Sequence, residues 1–389
     1  MEKSQINLLV SFLVVFFLVP ASADLNINVM SLGAKTDGVT DSTQAFLQAW
    51  KAACASNQSV TIYVPNGRYF IKQVTFRGPC KNTATTFKID GTLVAPSYTV
   101  LNTANWIYFS RVTGLTIIGG TLDGQGTSFW ACRNAKKGCP GGARNLAFNM
   151  SFNIRILGLT SINSQVTHIV INKSITLLMQ GLKIVAPADS PNTDGIHIQL
   201  SSNVTIRGTS ISTGDDCVSI GIGTKNLLIE ESSCGPGHGI SIGSLGKTPI
   251  EQGVEGVIVR NIVFTGSENG LRMKSWAKKS NGFIKGVLYQ DIIMKNVRNP
   301  LVIDQHYCPG GGSSCPKGDS GIQITGVTYR NIQGSSSTKV AVKFDCSRSN
   351  PCKDIKLDTV NLTYLSNVAQ SFCANAVGVN TGSVNPSCL

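Results

Sequence analysis

The sequence predicts an all-β chain wound as a parallel β-helix, a solenoid in which each turn of the chain stacks on the one before. Three observations predict it. A short β-rich segment recurs as GLTIIGGTLDG (114–124), NIRILGLTSIN (153–163), SITLLMQGLKI (174–184), NVTIRGTSIS (203–212) and NLLIEESSC (226–234). It continues as GVIVRNIVF (256–264), GVLYQDIIM (286–294), GVTYRNI (326–332) and DIKLDTVNL (354–362). From Asn153 the starts are spaced 21, 29, 23, 30, 30, 40 and 28 residues, with Gly, Asn, Asp or Ser at the boundaries, which reads as strand then turn. No helical pattern intervenes between the copies. The two-residue hairpin turns that a β-sandwich or propeller would need are mostly missing.

Taken in chain order, the first element is not part of the fold. Residues 6–19 (INLLVSFLVVFFLV) are apolar, follow a head containing Lys3, and precede Pro20 and Ala21-Ser22-Ala23. That is the pattern of a secretory signal peptide over residues 1–23, too short for a comfortable membrane span. An uncleaved anchor is the alternative. The mature chain, 24–389, shows no linker or charge block and is expected to be one soluble domain. Residues 41–54 (DSTQAFLQAWKAAC) follow, with Asp41 and Gln44 in a capping-box pattern and Phe46, Ala49, Trp50 and Ala53 on one helical face. This predicts a short amphipathic helix capping the N-terminal coil, because an open coil is an exposed sheet edge. Coils then continue to a cysteine-tied tail from Cys346, expected to protect the other end.

Twelve cysteines in a secreted chain point to disulfides. They fall as sequence neighbours, Cys54/Cys80, Cys132/Cys139, Cys217/Cys234, Cys308/Cys315, Cys346/Cys352 and Cys373/Cys388, and local pairing is the working expectation. No C-x-x-C pair or close Cys/His cluster argues for a metal. Five N-x-S/T sites, at Asn57, Asn149, Asn172, Asn203 and Asn361, fit the secretory route. The formal net charge is +13. No Lys/Arg run with interleaved aromatics marks a nucleic-acid module, so outside the cell a polyanionic glycan is the more natural partner. A monomer is the default, since a solenoid closes its core without a partner.

Three polar clusters interrupt this β-rich chain: SPNTDGIHI (190–198), TGDDC (213–217) and GPGHGISIGSLG (235–246). Asp194 to Asp215 is 21 residues and Asp216 to His238 is 22, single-coil steps. Residues one coil apart lie side by side, roughly 4.8 Å between strands. Asp194, Asp215, Asp216 and His238 are therefore expected to converge on one patch, with Arg272, Lys274 and Tyr307 contributed by the following longer coils. Arg272 and Lys274 alternate as on a strand, with Met273 inward. Each motif alone reads as ordinary structure: Asp-Asp after Gly as a turn, Asp194-Gly195 as a turn pair, His238 as a loop residue, R-x-K as solvated strand surface. Their common register argues for a site. His168 and His197 lack that support, and His197 need not face the same way as Asp194; His306 reads as a loop residue. Clustered carboxylates repel, so some must hold a proton or rely on cations. That lets one act as general acid and another as ionised base, the equipment for glycoside hydrolysis. Two cations beside the acids suit a sugar that carries carboxylates.

At these residues the chain resembles the polygalacturonases, pectin-cleaving glycoside hydrolases built on a right-handed parallel β-helix. NTDG (192–195), GDDC (214–217), GHGISIGSLG (237–246) and RMK (272–274) look like that family's four motif blocks, in order, over nearly the whole mature chain. GAKTDGVTDSTQAF (33–46), LDGQG (122–126), APADSPNTDGIHI (186–198) and VIDQHYCP (302–309) look like the plant enzymes, nearest to the pollen-type exopolygalacturonases. The resemblance implies Asp215 as general acid, Asp194 and Asp216 as activators of the attacking water, and His238 as the residue that tunes or reprotonates the acid. It implies Arg272 and Lys274 on substrate carboxylates, Tyr307 supporting the sugar, and Asn192 on substrate or orienting Asp194. It further implies inversion of configuration, no metal or other cofactor, exo action on homogalacturonan, and a place in the plant cell wall. The family's middle position usually reads R-I-K; Met273 is a volume-similar inward residue. Rivals are an endo-acting polygalacturonase, a rhamnogalacturonan hydrolase, a calcium-dependent pectate lyase on the same scaffold, and a non-catalytic pectin-binding wall protein.

Overall fold

The structure is a computed structural model that describes residues 25–101, 103–136 and 138–389. The segment read as a signal peptide, 1–23, lies outside the described residues. The described chain is a right-handed parallel β-helix, with a nineteen-stranded sheet and an eleven-stranded sheet among the described residues. The recurring segments of the sequence all lie in the larger sheet. The smaller one, made of the short strands between them, carries the polar clusters.

Stacking follows from strict alternation. In the larger sheet Ile154, Leu177, Val204, Leu227, Val257, Val287, Val327 and Ile355 pair in register from coil to coil. In the smaller sheet Ile169, Ile196, Val218, Ile240, Leu271, Leu301 and Val342 do the same. All fifteen are almost completely buried in one hydrophobic core that runs from Val29 to Ala369. Each such side chain contributes about 1.5–3 kcal/mol by leaving water, and a one-residue slip would turn the whole row outward. The register is therefore fixed by the core, and the positions of the outward residues follow from it.

Each coil also turns a sharp corner at one residue. Successive coils place Gly158, Gly181, Gly208, Glu231, Asn261, Asp291 and Asn331 there, with φ between 50° and 66°. This left-handed conformation costs most L-residues about 1–2 kcal/mol. Glycine avoids that cost, and Asn and Asp offset it with local hydrogen bonds. Asn331 Nδ2 donates to Asp291 Oδ1 at 2.6 Å, linking two corners. All but Glu231 are Gly, Asn or Asp, and they lie within the repeated segments.

The capping helix is present as α1, Thr43–Ala55, and buries Phe46, Ala49, Trp50 and Ala53 as expected. Trp50 packs against Phe76, Phe87 and Phe109 and donates its indole N–H to the Arg77 carbonyl at 3.0 Å. The capping box does not form. Ser42 is the N-cap, and its amide donates to the Phe70 carbonyl at 2.9 Å. Asp41 ends the strand Asp37–Asp41, and its carboxylate accepts from the Thr43 amide at 3.0 Å and pairs with Lys72 at 3.1 Å. Strand pairing thus moves the helix start past Asp41.

A second helix, α2, Thr127–Asn134, was not legible in the sequence, since eight residues are too few to show a period. It buries Phe129 and Trp130 and is tied by Cys132–Cys139. All six disulfides join the sequence neighbours. The C-terminal tail is itself the last coil, with Gln370–Ala374 and Ala376–Asn385 pairing parallel to the coil before.

Replacing Trp50 by Ala removes the aromatic lid on the first coils. We expect Trp50→Ala to lower unfolding stability by about 3–5 kcal/mol, read as a reduced urea midpoint with the slope of the transition unchanged.

Candidate active site

The smaller sheet receives each coil through a polar turn. Ile196, Val218, Ile240 and Leu271 point inward in one row. Two residues earlier in each coil, Asp194, Asp216, His238 and Asn269 therefore form a line at the edge of the sheet. The turns are stitched by backbone bonds: His168 N to Asp194 O at 2.8 Å, Gly195 N to Asp216 O at 2.9 Å, and His238 N to Asp215 O at 2.8 Å. One residue beyond the inward row lie His197, Ser219, Ser241 and Arg272, in register on the outer face. Lys274 stands two residues further along its strand, and Met273 between them is fully buried, as the alternation required.

The three aspartates share one groove with His197, Lys274 and Tyr307, but their environments differ. Asp216 is 2% exposed. It accepts hydrogen bonds from Lys274 Nζ at 2.8 Å, Arg272 Nη2 at 2.7 Å and Ser241 Oγ at 2.7 Å, while Arg272 Nε donates to Ser241 Oγ at 2.9 Å. A buried carboxylate costs several kcal/mol unless paired and hydrogen-bonded, and two cations meet that need. The two basic residues expected to face a substrate carboxylate thus both spend donors on Asp216. Lysine has three N–H donors and the guanidinium five, so further donors remain.

Asp215 lies beside His238, with Nδ1 and Oδ1 2.9 Å apart. Nε2 of the same ring is 3.4 Å from Glu268 Oε2. Burial pushes Asp215 up, but the His238 hydrogen bond and charge outweigh it and hold the carboxyl below its ordinary value. In return the Asp215 hydrogen bond, against burial, raises His238. Asn192 Nδ2 donates to Asp215 Oδ2 at 3.4 Å, so its amide is directed at Asp215 rather than Asp194.

Asp194 is pushed up to about 7, first by burial, then by the Asp215 and Asp216 charges; the Ser219 hydroxyl and Lys274 work against this. The expected crowding of carboxylates is therefore resolved in three ways. Asp216 is balanced by fixed cations, Asp215 by a titratable imidazole, and Asp194 by a pKa raised toward neutrality. Tyr307 completes the wall, with Lys274 Nζ 5.3 Å from its ring centroid and Trp276 edge-on at 5.6 Å.

Asp215, Asp216 and His238 bring ligand atoms within 4.8 Å of one another, a spacing that suits a cation. Both Asp216 oxygens already carry a cationic donor, which opposes a further positive charge there. Four residues of the site were missed in the sequence. His197, Ser219 and Ser241 repeat the 22-residue step of Asp194, Asp216 and His238, each three residues later, so the period held the signal. His197 does face the groove, contrary to the parity argument. Glu268 arrives through a turn and left no such trace. His168 is buried against Ser161, and His306 pairs with Asp345 outside the groove.

The sequence profile of Glycosyl hydrolases family 28 matches residues 54–386. A "Polygalacturonase" of Prunus persica is 56% identical over 384 residues, covering 97% of this chain and 98% of the relative. An "Exopolygalacturonase" of Platanus acerifolia is 41% identical over 366 residues, covering 92% and 96%. Among solved structures, the endo-xylogalacturonan hydrolase of Aspergillus tubingensis superposes with a TM-score of 0.81 at 22% identity, over 93% of this chain and 100% of that one, a likeness of fold.

The perturbed groups have a signature in pH. Because folding raises His238, the stability from its pair with Asp215 is complete below the ordinary histidine value and fades as pH rises through the folded value. Because folding depresses Asp215, the same contribution fades again as pH falls through its folded value. Asp194 works differently: from its ordinary 3.8 to about 7 the folded chain binds the extra proton, so this group costs stability as pH rises through that window. We expect the His238 ring resonances to titrate above 6.5, and Asp215→Asn to bring the midpoint down.

Proposed function

The chain belongs to the glycosyl hydrolases of family 28, and we propose that it hydrolyses the α-1,4-galacturonosyl bonds of pectin and polygalacturonate by inverting, metal-independent acid/base catalysis. One observation carries the reading: Asp215, hydrogen-bonded to His238, shares a groove with Asp194 and with Asp216, which Arg272 and Lys274 hold. In this reading Asp215 protonates the leaving oxygen as the glycosidic bond breaks. Asp194 and Asp216 orient a water that attacks the anomeric carbon from the other face and takes up the configuration opposite to the bond broken. The water's proton passes to ionised Asp194 or Asp216, so the proton that Asp215 gives up is balanced. The proton that Asp215 needs is close, since His238 Nδ1 is 2.9 Å away and can deliver it. Remaining donors of Arg272 and Lys274, with Tyr307 and Asn192, bind the uronate.

Exo action is supported by the likeness to the Platanus acerifolia protein, which carries that name. Secretion to the cell wall as a single-domain monomer is supported by the leader-like residues 1–23, six disulfides and the net charge of +13. Of the five acceptor sites, Asn57, Asn203 and Asn361 are exposed and suited to glycans. Asn149 and Asn172 line an adjoining cleft that also reaches His197 and Gln199, are joined by a 2.7 Å side-chain bond, and are unsuited.

The test is product analysis on polygalacturonate in EDTA. New reducing ends without unsaturated sugar are expected, with monomer from the start and the inverted anomer in NMR. Mixed oligomers at early times would instead mean endo action, and reducing ends from rhamnogalacturonan alone would reassign the substrate. Unsaturated products that need calcium would mean a lyase, and no products at all a binding protein. Asp215→Asn should lower kcat by about 10²–10⁴-fold with the unfolding midpoint preserved.

A further inference from the structure

We propose that the cleft adjoining the catalytic groove binds an unesterified galacturonate, about the third sugar from the bond that is cut, with Arg144 holding its carboxylate. The cleft has a volume of about 220 Å³ and shares His197 and Gln199 with the groove, so the two are continuous. Its shape comes from one row of the smaller sheet. Tyr108, Ala147, Val170 and His197 stand in register on successive coils. Two rings flank two small side chains, and the rings are three coil steps apart, roughly 14 Å. Ala147 and Val170 form the floor left open between them.

One wall is polar and uncharged. Asn172 Nδ2 donates to Asn149 Oδ1 at 2.7 Å, and Gln199 Nε2 donates to Asn172 Oδ1 at 3.2 Å. Each donating amide nitrogen carries two N–H groups, and these bonds use one of them. The other wall carries Arg144, which is half-buried. It stands two residues before Leu146, as Asp194 stands two before Ile196, and so lies on the same edge two coils away, roughly 10 Å. Its Nη1 donates to the Asn105 side-chain oxygen at 3.3 Å and the Ala104 carbonyl at 3.5 Å. Both partners are neutral, and no carboxylate pairs with Arg144 among the described residues, whereas Arg272 is paired with Asp216. A held guanidinium with spare donors and no counter-charge suits a planar carboxylate. A uronate supplies that carboxylate, ring C–H groups for the floor, and hydroxyls for the amide wall. A methyl ester would leave Arg144 unpaired, which is why the site selects the free acid. Exo action then requires that the single terminal sugar lie on the opposite side of the cut, toward Tyr307.

The inference rests on the hydrolase reading, so binding is also measured without turnover. The full mature chain carrying Asp215→Asn is titrated calorimetrically with the α-1,4-linked galacturonate hexamer. The active chain is assayed on the hexamer and the trimer. Arg144→Gln should weaken hexamer binding about tenfold, the scale of one hydrogen bond to a charged group, and Arg144→Glu should weaken it further. Ala147→Leu keeps Arg144 but fills the floor, and should also weaken the hexamer. In the active chain Arg144→Gln should lower the hexamer-to-trimer ratio of kcat/KM by a similar factor, because a trimer that spans the cut puts at most two sugars on this side. Hexamer affinity that Arg144→Gln or Ala147→Leu leaves at the parent value overturns the proposal. So does an equal loss in Arg144→Gln and Arg144→Glu, which would mean packing and not charge. An equal fall in kcat/KM on trimer and hexamer overturns it too, placing the effect in the catalytic groove through His197. A wild-type chain inactive on both oligomers sinks the hydrolase reading, while the Asp215→Asn titrations still decide the site at Arg144.

Discussion

Everything at the site depends on the coil-to-coil register of the parallel sheet. Strands stack at the spacing of a sheet, and side chains alternate in and out. A residue's neighbours are therefore its equivalents one coil away. The inward rows of Ile, Val and Leu bury themselves only in one register. That same register aligns Asp194 with Asp216 and His238, and His197 with Ser219, Ser241 and Arg272. The core and the groove are two faces of one constraint. Apolar burial supplies the energy that holds mutually repelling carboxylates close together, which no local interaction among them would do.

Given that forced proximity, electrostatics sorts the carboxylates. Asp216 is driven deepest and is held by Arg272 and Lys274, which come from two coils further along at the right height. Asp215 sits on the turn and meets the imidazole of His238, whose other nitrogen faces Glu268. Asp194 has no cation of its own, and burial and its two carboxylate neighbours raise its pKa. Ser241 links Arg272 to Asp216, and Asp215 is held directly by His238, whose other nitrogen faces Glu268. Such second-layer contacts confine first-layer groups more tightly than a single hydrogen bond does.

Much of this was legible in the sequence because the solenoid translates distance along the chain into distance in space at a nearly constant rate. Asp194, Asp215, Asp216 and His238 were found from their spacing alone, and Ser219 and Ser241 lay in the same spacing unread. Short strands such as Val218–Ile220 gave little pattern of their own, so the sheet that carries the site was visible only through its polar turns. α2 was too short to register, and the helix start at Thr43 depended on a strand pairing of Asp41 that lies far from any helical signal. His197 was set aside on a parity argument that treated Asp194 as part of the strand. Asp194 belongs to the turn before it, where alternation does not apply.

The sequence by itself determined the architecture, the cap and which residues meet, because each of these follows from a period and from the burial of apolar side chains. Only the tertiary structure decided what the meeting residues do to one another. Whether Arg272 points at solvent or at Asp216, whether Asn192 serves Asp194 or Asp215, and which of three aspartates holds a proton are set by side-chain directions and burial within a few ångströms. Charge interactions change several-fold over such distances. The linear period places residues to within a coil and carries no information finer than that.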